Sequence, residues 1–186
     1  MAAVRERFTL DRFLELEEEK PALEFEDGVV TQKVSPKGKH GSVQAELVEY
    51  LNRAARPHKV ARAITELRTT FADSSYVPDI SVYRWDRIPT DESGHVANEF
   101  RVPPDIAVEI VSPEQSVNAL VRRCLWYIDH GVNVALLIDP KDESVLAFRP
   151  GGTPAVCHGK DRIDLSELLP DFGLTVEELF ASLRMR

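Results

Sequence analysis

The chain has 186 residues, 43% apolar and 29% charged, and its 23 basic against 31 acidic residues leave a net charge of −8. That is enough for one sizeable core, so a single domain over 1–186 is expected, while the acidic balance excludes a general-purpose duplex binder that lives on neutralising phosphates. No apolar run approaches the roughly 20 residues of a membrane span, and residues 1–10 carry charges where a secretory signal has its apolar core, so a cytoplasmic protein with no membrane partner is expected.

Thr9 can cap a helix over 10–19, with Phe13 and Leu14 on its apolar side and glutamates on the other. Residues 23–30 alternate like a strand around Asp27-Gly28, a strong hairpin dipeptide, which puts Glu24 and Glu26 on one face. Residues 35–41 read as a loop, and helical spacing resumes over 42–55 with Val43, Leu47, Leu51 and Ala54 on one stripe. Lys33 falls in a stretch, 31–70, that holds much of the basic charge. Residues 60–71 favour strand, and Asp73-Ser74-Ser75 reads as a turn into a strand over 77–83. The charged, aperiodic segment 84–101 is expected to be a long surface loop.

Residues 103–113 form a β-branched run in which alternation sends Asp105, Ala107, Glu109 and Val111 to one face and Ile106, Val108 and Ile110 to the other. Glu109 therefore sits between apolar neighbours, where an ionised carboxylate costs several kcal/mol unless a cation or donor compensates it. Ser116 caps the clearest helix, with Val117, Leu120, Val121, Cys124, Leu125 and Ile128 at helical spacing and Gly131 past its end. Residues 132–139 are a buried strand, parallel to the Glu109 strand through the helical crossover, and 144–149 is its hairpin partner. Gly151-Gly152 opens a loop, and Thr175-Val176-Glu177-Glu178 is a capping box that starts a last helix. The sum is an α/β chain with a mixed sheet flanked by helices. Cys124 and Cys157 fit no disulfide or zinc spacing and read as reduced, with Cys124 buried.

Val77-Pro78-Asp79 sets a second lone carboxylate among strand formers, and two carboxylates on neighbouring strands are a minimal divalent-metal site. Such a site suits metal-assisted phosphodiester hydrolysis, although spacing alone fits equally a turn aspartate and a salt-bridged glutamate.

The string Pro103-Pro104-Asp105, Val108-Glu109-Ile110-Val111-Ser112-Pro113, the Tyr127-bearing helix, Asp129-His130-Gly131-Val132 and Leu136-Leu137-Ile138-Asp139-Pro140 resembles the Uma-type family of putative restriction endonucleases, within the PD-(D/E)XK nuclease superfamily. Tyr76-Val77-Pro78-Asp79, residues 23–28 and Leu169-Pro170-Asp171-Phe172-Gly173-Leu174 extend the resemblance over nearly the whole chain. It implies a restriction-endonuclease-like core, DNA as substrate, Mg²⁺ or Mn²⁺ as cofactor, and Asp79 and Glu109 as metal ligands. The family's lysine lies four residues before an aromatic matching Tyr127, where this chain has Arg123, and Val111 fills the other lysine position. Arginine stabilises a phosphate but does not act as a base. By the same resemblance Glu46 is a candidate third ligand and His40 a phosphate- or water-orienting group. Glu24 reads either as a supporting acid or as a surface acid of its hairpin. Nucleases of this fold often pair, so a homodimer using the 84–101 loop is expected. Two other readings compete: a catalytically degenerate fold that serves as a nucleic-acid-binding or protein-interaction module, and a metal-dependent hydrolase of a small phosphorylated substrate.

Overall fold

The computed structural model describes residues 8–185. In chain order its elements are α1 (Leu10–Leu14), β1 (Leu23–Glu26), β2 (Val29–Gln32), α2 (Gly38–Ala55), β3 (Ala61–Thr65), β4 (Thr69–Phe71), β5 (Ser74–Tyr76), β6 (Ile80–Arg84), β7 (Ile106–Ile110), α3 (Val117–Asp129), β8 (Val134–Asp139), β9 (Ser144–Phe148), β10 (Ala155–His158) and α4 (Val176–Ala181). They build a six-stranded sheet, β10-β9-β8-β7-β6-β3, and a four-stranded sheet, β2-β1-β5-β4.

The six-stranded sheet is the mixed one that the crossover predicts: β7 and β8 are parallel with Glu109 opposite Leu137, and the other pairs are antiparallel. Alternation along β7 divides the core as expected. Ile106, Val108 and Ile110 pack with Val43, Leu47 and Leu51 of α2 and with Leu179 and Phe180 of α4. Ala107 lies on the other face, with Leu120, Cys124 and Tyr127 of α3. Glu109 thus points under α3.

Several boundaries differ from the sequence reading. Helix α1 stops at Leu14 rather than near residue 19. Beyond it, Glu15, Glu17, Glu18 and Glu19 repel at helical spacings and offer nothing to bury. Helix α2 starts at Gly38, so His40 is in its first turn and not in a loop; Lys37 holds the N-cap without a side-chain bond, and the buried imidazole anchors the turn instead. Ser74 and Ser75 are strand, not turn: the reversal falls one step earlier, at Ala72 and Asp73, both left-handed with φ 47 and 55°. The hairpin at Asp27-Gly28 is as expected, with φ positive at both residues, which suits the right-handed twist of β1 and β2. Short β10 had no signal beyond a loop, and it adds an exposed edge to β9. Within the 84–101 segment, Phe100 is buried and bridges to Thr69, so that end of the loop is pinned. No helix among the described residues is long and apolar enough to cross a membrane.

Candidate metal centre

The Asp79 side of the site is assembled from distant parts of the chain. Pro78 delivers Asp79 immediately before β6, where the residue is only 2% exposed. Its Oδ2 accepts from the Ile110 backbone N–H at 2.6 Å, which ties it to the end of β7. Its Oδ1 accepts from Lys33 Nζ at 2.8 Å and lies 3.4 Å from His40 Nε2. Lys33, just past β2, also donates to the Val77 carbonyl at 2.8 Å and to Glu66 Oε2 at 3.0 Å, so all three of its N–H bonds are used. Gln44 of α2 donates to the Asp79 carbonyl and to Glu66 Oε1, and Glu66 itself is left-handed, φ 50°. Burial opposes the charge on Asp79, yet the nearby His40 and the Lys33 ammonium hold its carboxyl below the usual range.

The Glu109 side is built from β7, α3 and β1. Tyr127 donates its hydroxyl to Glu109 Oε1 at 2.7 Å, and Arg123 Nη1 is 3.9 Å from the same oxygen. One turn of helix separates Arg123 from Tyr127, so both reach the same strand position. Arg123 is held more firmly by Glu24: Nη2 is 2.8 Å from Oε2, while Glu24 Oε1 accepts from the Val77 N–H and the guanidinium lies 4.8 Å from the centre of the Tyr76 ring. Burial pushes the Glu109 carboxyl up to about 8, with Arg123 opposing the rise and the Asp79 charge adding to it. Arg123, drawn on by Glu109, stays charged.

The structure therefore brings Asp79, Glu109, His40, Glu24 and Arg123 to one region and leaves Glu46 out. Glu46 lies two residues beyond Gln44, about 200° round α2, and makes none of the hydrogen bonds or ion pairs among the described residues. Gln44 takes the position on that helix. His40 is buried beneath the carboxylates rather than displayed on the surface, with Nδ1 3.2 Å from Ser112 Oγ. Sequence reasoning missed Lys33, Glu66, Gln44 and the Tyr127 hydroxyl. Only Tyr127 carried a usable signal, its place on the buried stripe of α3.

The residues at Asp79 fit a divalent cation. Ligand atoms of His40, Glu66 and Asp79 all lie within 4.8 Å of one another, and His40 Nε2 is a buried nitrogen without a hydrogen-bond partner. Two hard carboxylates with one imidazole suit Mg²⁺ or Mn²⁺. Glu109 stands next to Ile110, whose N–H holds Asp79, so a third carboxylate adjoins the set.

The model of the family Uma2, described as "putative restriction endonuclease", matches residues 10–177. The crystal structure of a putative nuclease belonging to DUF820 from Anabaena variabilis ATCC 29413 superposes with a TM-score of 0.92 at 39% identity, covering 95% of this chain and 99% of that one. The α/β core is thus restriction-endonuclease-like. A DrdV–DNA complex solved by cryo-electron microscopy matches with a TM-score of 0.40 at 12% identity, over 75% of this chain and 11% of that one. No curated protein matches.

Proposed function

We propose, from the premise that the chain belongs to the Uma2 family of putative restriction endonucleases, that it hydrolyses phosphodiester bonds of DNA with a divalent metal, Mg²⁺ or Mn²⁺, held by Asp79 and Glu109. The observation that carries this reading is the 2.6 Å bond from the Ile110 N–H to Asp79 Oδ2, which locks one buried carboxylate beside the strand position of the other. Such a pair is costly to bury and gives the core nothing.

A bound divalent ion would supply charge neutralisation at the phosphate and a more acidic water. The chain's own groups divide the remaining work. Asp79 stays ionised, and its Oδ1, which Lys33 holds, lies 3.4 Å from His40 Nε2. Tyr127 fixes the direction of Glu109. Arg123 is the cation on the α3 side, and Glu24 holds it in place; arginine cannot act as base, so it would serve by attracting phosphate.

The pairing of Arg123 with Glu24 and of Lys33 with Asp79 favours a second reading, in which the site is silenced and the protein binds nucleic acid without cutting it. Incubation of supercoiled plasmid and single-stranded DNA with Mg²⁺ or Mn²⁺ separates the two. Cutting by the wild type that disappears in the Asp79→Ala/Glu109→Ala double variant is the expected result, and direct linearisation without a nicked form would indicate two copies acting together. Retention of DNA with no cutting by wild type or by Arg123→Lys would replace the nuclease reading with the binding one.

A further inference from the structure

Lys33, its side chain 8% exposed among carboxylates that suit a metal, has no part in the division of roles given above. Its ammonium holds Asp79 Oδ1 and Glu66 Oε2, and these residues are two of the three whose ligand atoms cluster within 4.8 Å of one another among the described residues. An ion using those oxygens must compete for them with a cation already tethered to the chain. We infer that Lys33 is the resident cation of the Asp79 site, and that a divalent ion binds there by displacing the Lys33 ammonium into the adjoining cavity. This rests on the reading that Asp79 is a metal ligand.

Three further observations support displacement over coexistence. The cavity beside Lys33 has a volume of about 550 Å³ and its lining includes Glu18 and Glu19, so a withdrawn ammonium finds room in an acidic surrounding. The frame of the site does not depend on the lysine: Gln44 bonds both the Asp79 carbonyl and Glu66, and Ile110 holds the other Asp79 oxygen. His40 Nε2 is buried, unpartnered and near the same Asp79 oxygen, so it is a ligand that Lys33 leaves unused. A tethered competitor acts at high effective concentration and weakens every ion it opposes. With an imidazole in the set, Mn²⁺ competes better than Mg²⁺.

The test is Mn²⁺ binding, measured by titration calorimetry and by the loss of the free-ion paramagnetic resonance signal, on the full-length wild type, Lys33→Met and Asp79→Asn. Lys33→Met is expected to bind Mn²⁺ at least ten-fold more tightly than wild type, and Asp79→Asn to lose binding. A second readout needs no variant: acetic anhydride labelling of the wild type, followed by mass spectrometry, should modify Lys33 several-fold faster with Mn²⁺ present, while exposed Lys160 does not change. If Lys33→Met fails to fold, the labelling decides by itself. Equal Mn²⁺ affinities or unchanged Lys33 labelling, with binding still lost in Asp79→Asn, would overturn the displacement and leave the metal reading standing. Wild-type affinity retained in Asp79→Asn would remove both.

Discussion

Asp79, just before β6, and Glu109, on the adjacent antiparallel β7, are equally buried, 2% exposed each, yet their surroundings drive them to opposite charge states. Asp79 meets an ammonium at hydrogen-bond distance and a backbone donor, and its carboxyl is held low. Glu109 meets a neutral phenol at 2.7 Å and a guanidinium only at 3.9 Å, because Glu24 takes the closer hold on Arg123, and its carboxyl rises to about 8. Burial is common to both. What separates them is how near the compensating cation comes, and a neighbouring acid decides that distance for Glu109.

The harshest way to break this arrangement is Arg123→Ala. It strands Glu24, buried with its oxygen 2.8 Å from the lost guanidinium, and removes the only opposing cation on the α3 side of Glu109 among the described residues. Breaking a buried pair by removing one partner costs about 3–5 kcal/mol, and the 20% exposure of the Arg123 side chain points to the lower end. Urea denaturation measures it; a loss below about 1 kcal/mol would mean that water already screens the pair.

The pH dependence of stability sharpens the contrast, because the two carboxylates have opposite signs. Glu109 takes up a proton more readily folded than unfolded, so its contribution is full below its ordinary value of 4.5 and is lost as pH rises to about 8. Asp79 is depressed, so its contribution is present above its ordinary 3.8 and is lost as pH falls through the acid range. Wild type compared with Glu109→Gln between pH 5 and 9 should therefore lose relative stability on the order of 2–4 kcal/mol toward the alkaline end, and the comparison with Asp79→Asn should run the other way at low pH. Parallel slopes would show that the two sides are not electrostatically distinct.

Tyr127→Phe is the milder probe of the Glu109 side. It removes the 2.7 Å hydrogen bond and little volume, so a loss of about 1–3 kcal/mol is expected from an acceptor left buried without its donor. A double-mutant cycle with Glu109→Leu, which removes the acceptor, should recover most of that energy as coupling; additive effects would mean that the hydroxyl does not act through Glu109.

The same contrast explains what was legible in the sequence. The Glu109 side lies within one strand–helix–strand unit, where alternation set Glu109 on the face away from Ile106, Val108 and Ile110 and the family resemblance singled out Arg123, which is half-buried beside exposed Arg122. The Asp79 side draws Lys33 from 46 residues away and Gln44 from 35, and Glu66 comes from a left-handed loop position. None of these lies on a periodic stripe that isolates it, so local pattern had nothing to report. Strands of three residues, such as β4 and β5, are likewise too short to show alternation, and the second sheet that they complete stayed hidden with them.

Glu66→Gln tests how far the Asp79 side depends on its outer carboxylate, and its effect should be the smallest. The Glu66 side chain is 45% exposed, so its 3.0 Å pair with Lys33 is screened by water, and the glutamine keeps an acceptor for the ammonium. A stability loss of about 0.5 kcal/mol is expected by urea denaturation. Lys33 would still hold Asp79 at 2.8 Å and the Val77 carbonyl at 2.8 Å, and these inner bonds fix its position. If Glu66→Gln instead costs as much as Arg123→Ala, Lys33 depends on its second carboxylate as Arg123 depends on Glu24, and the two halves of the site follow one design rather than two.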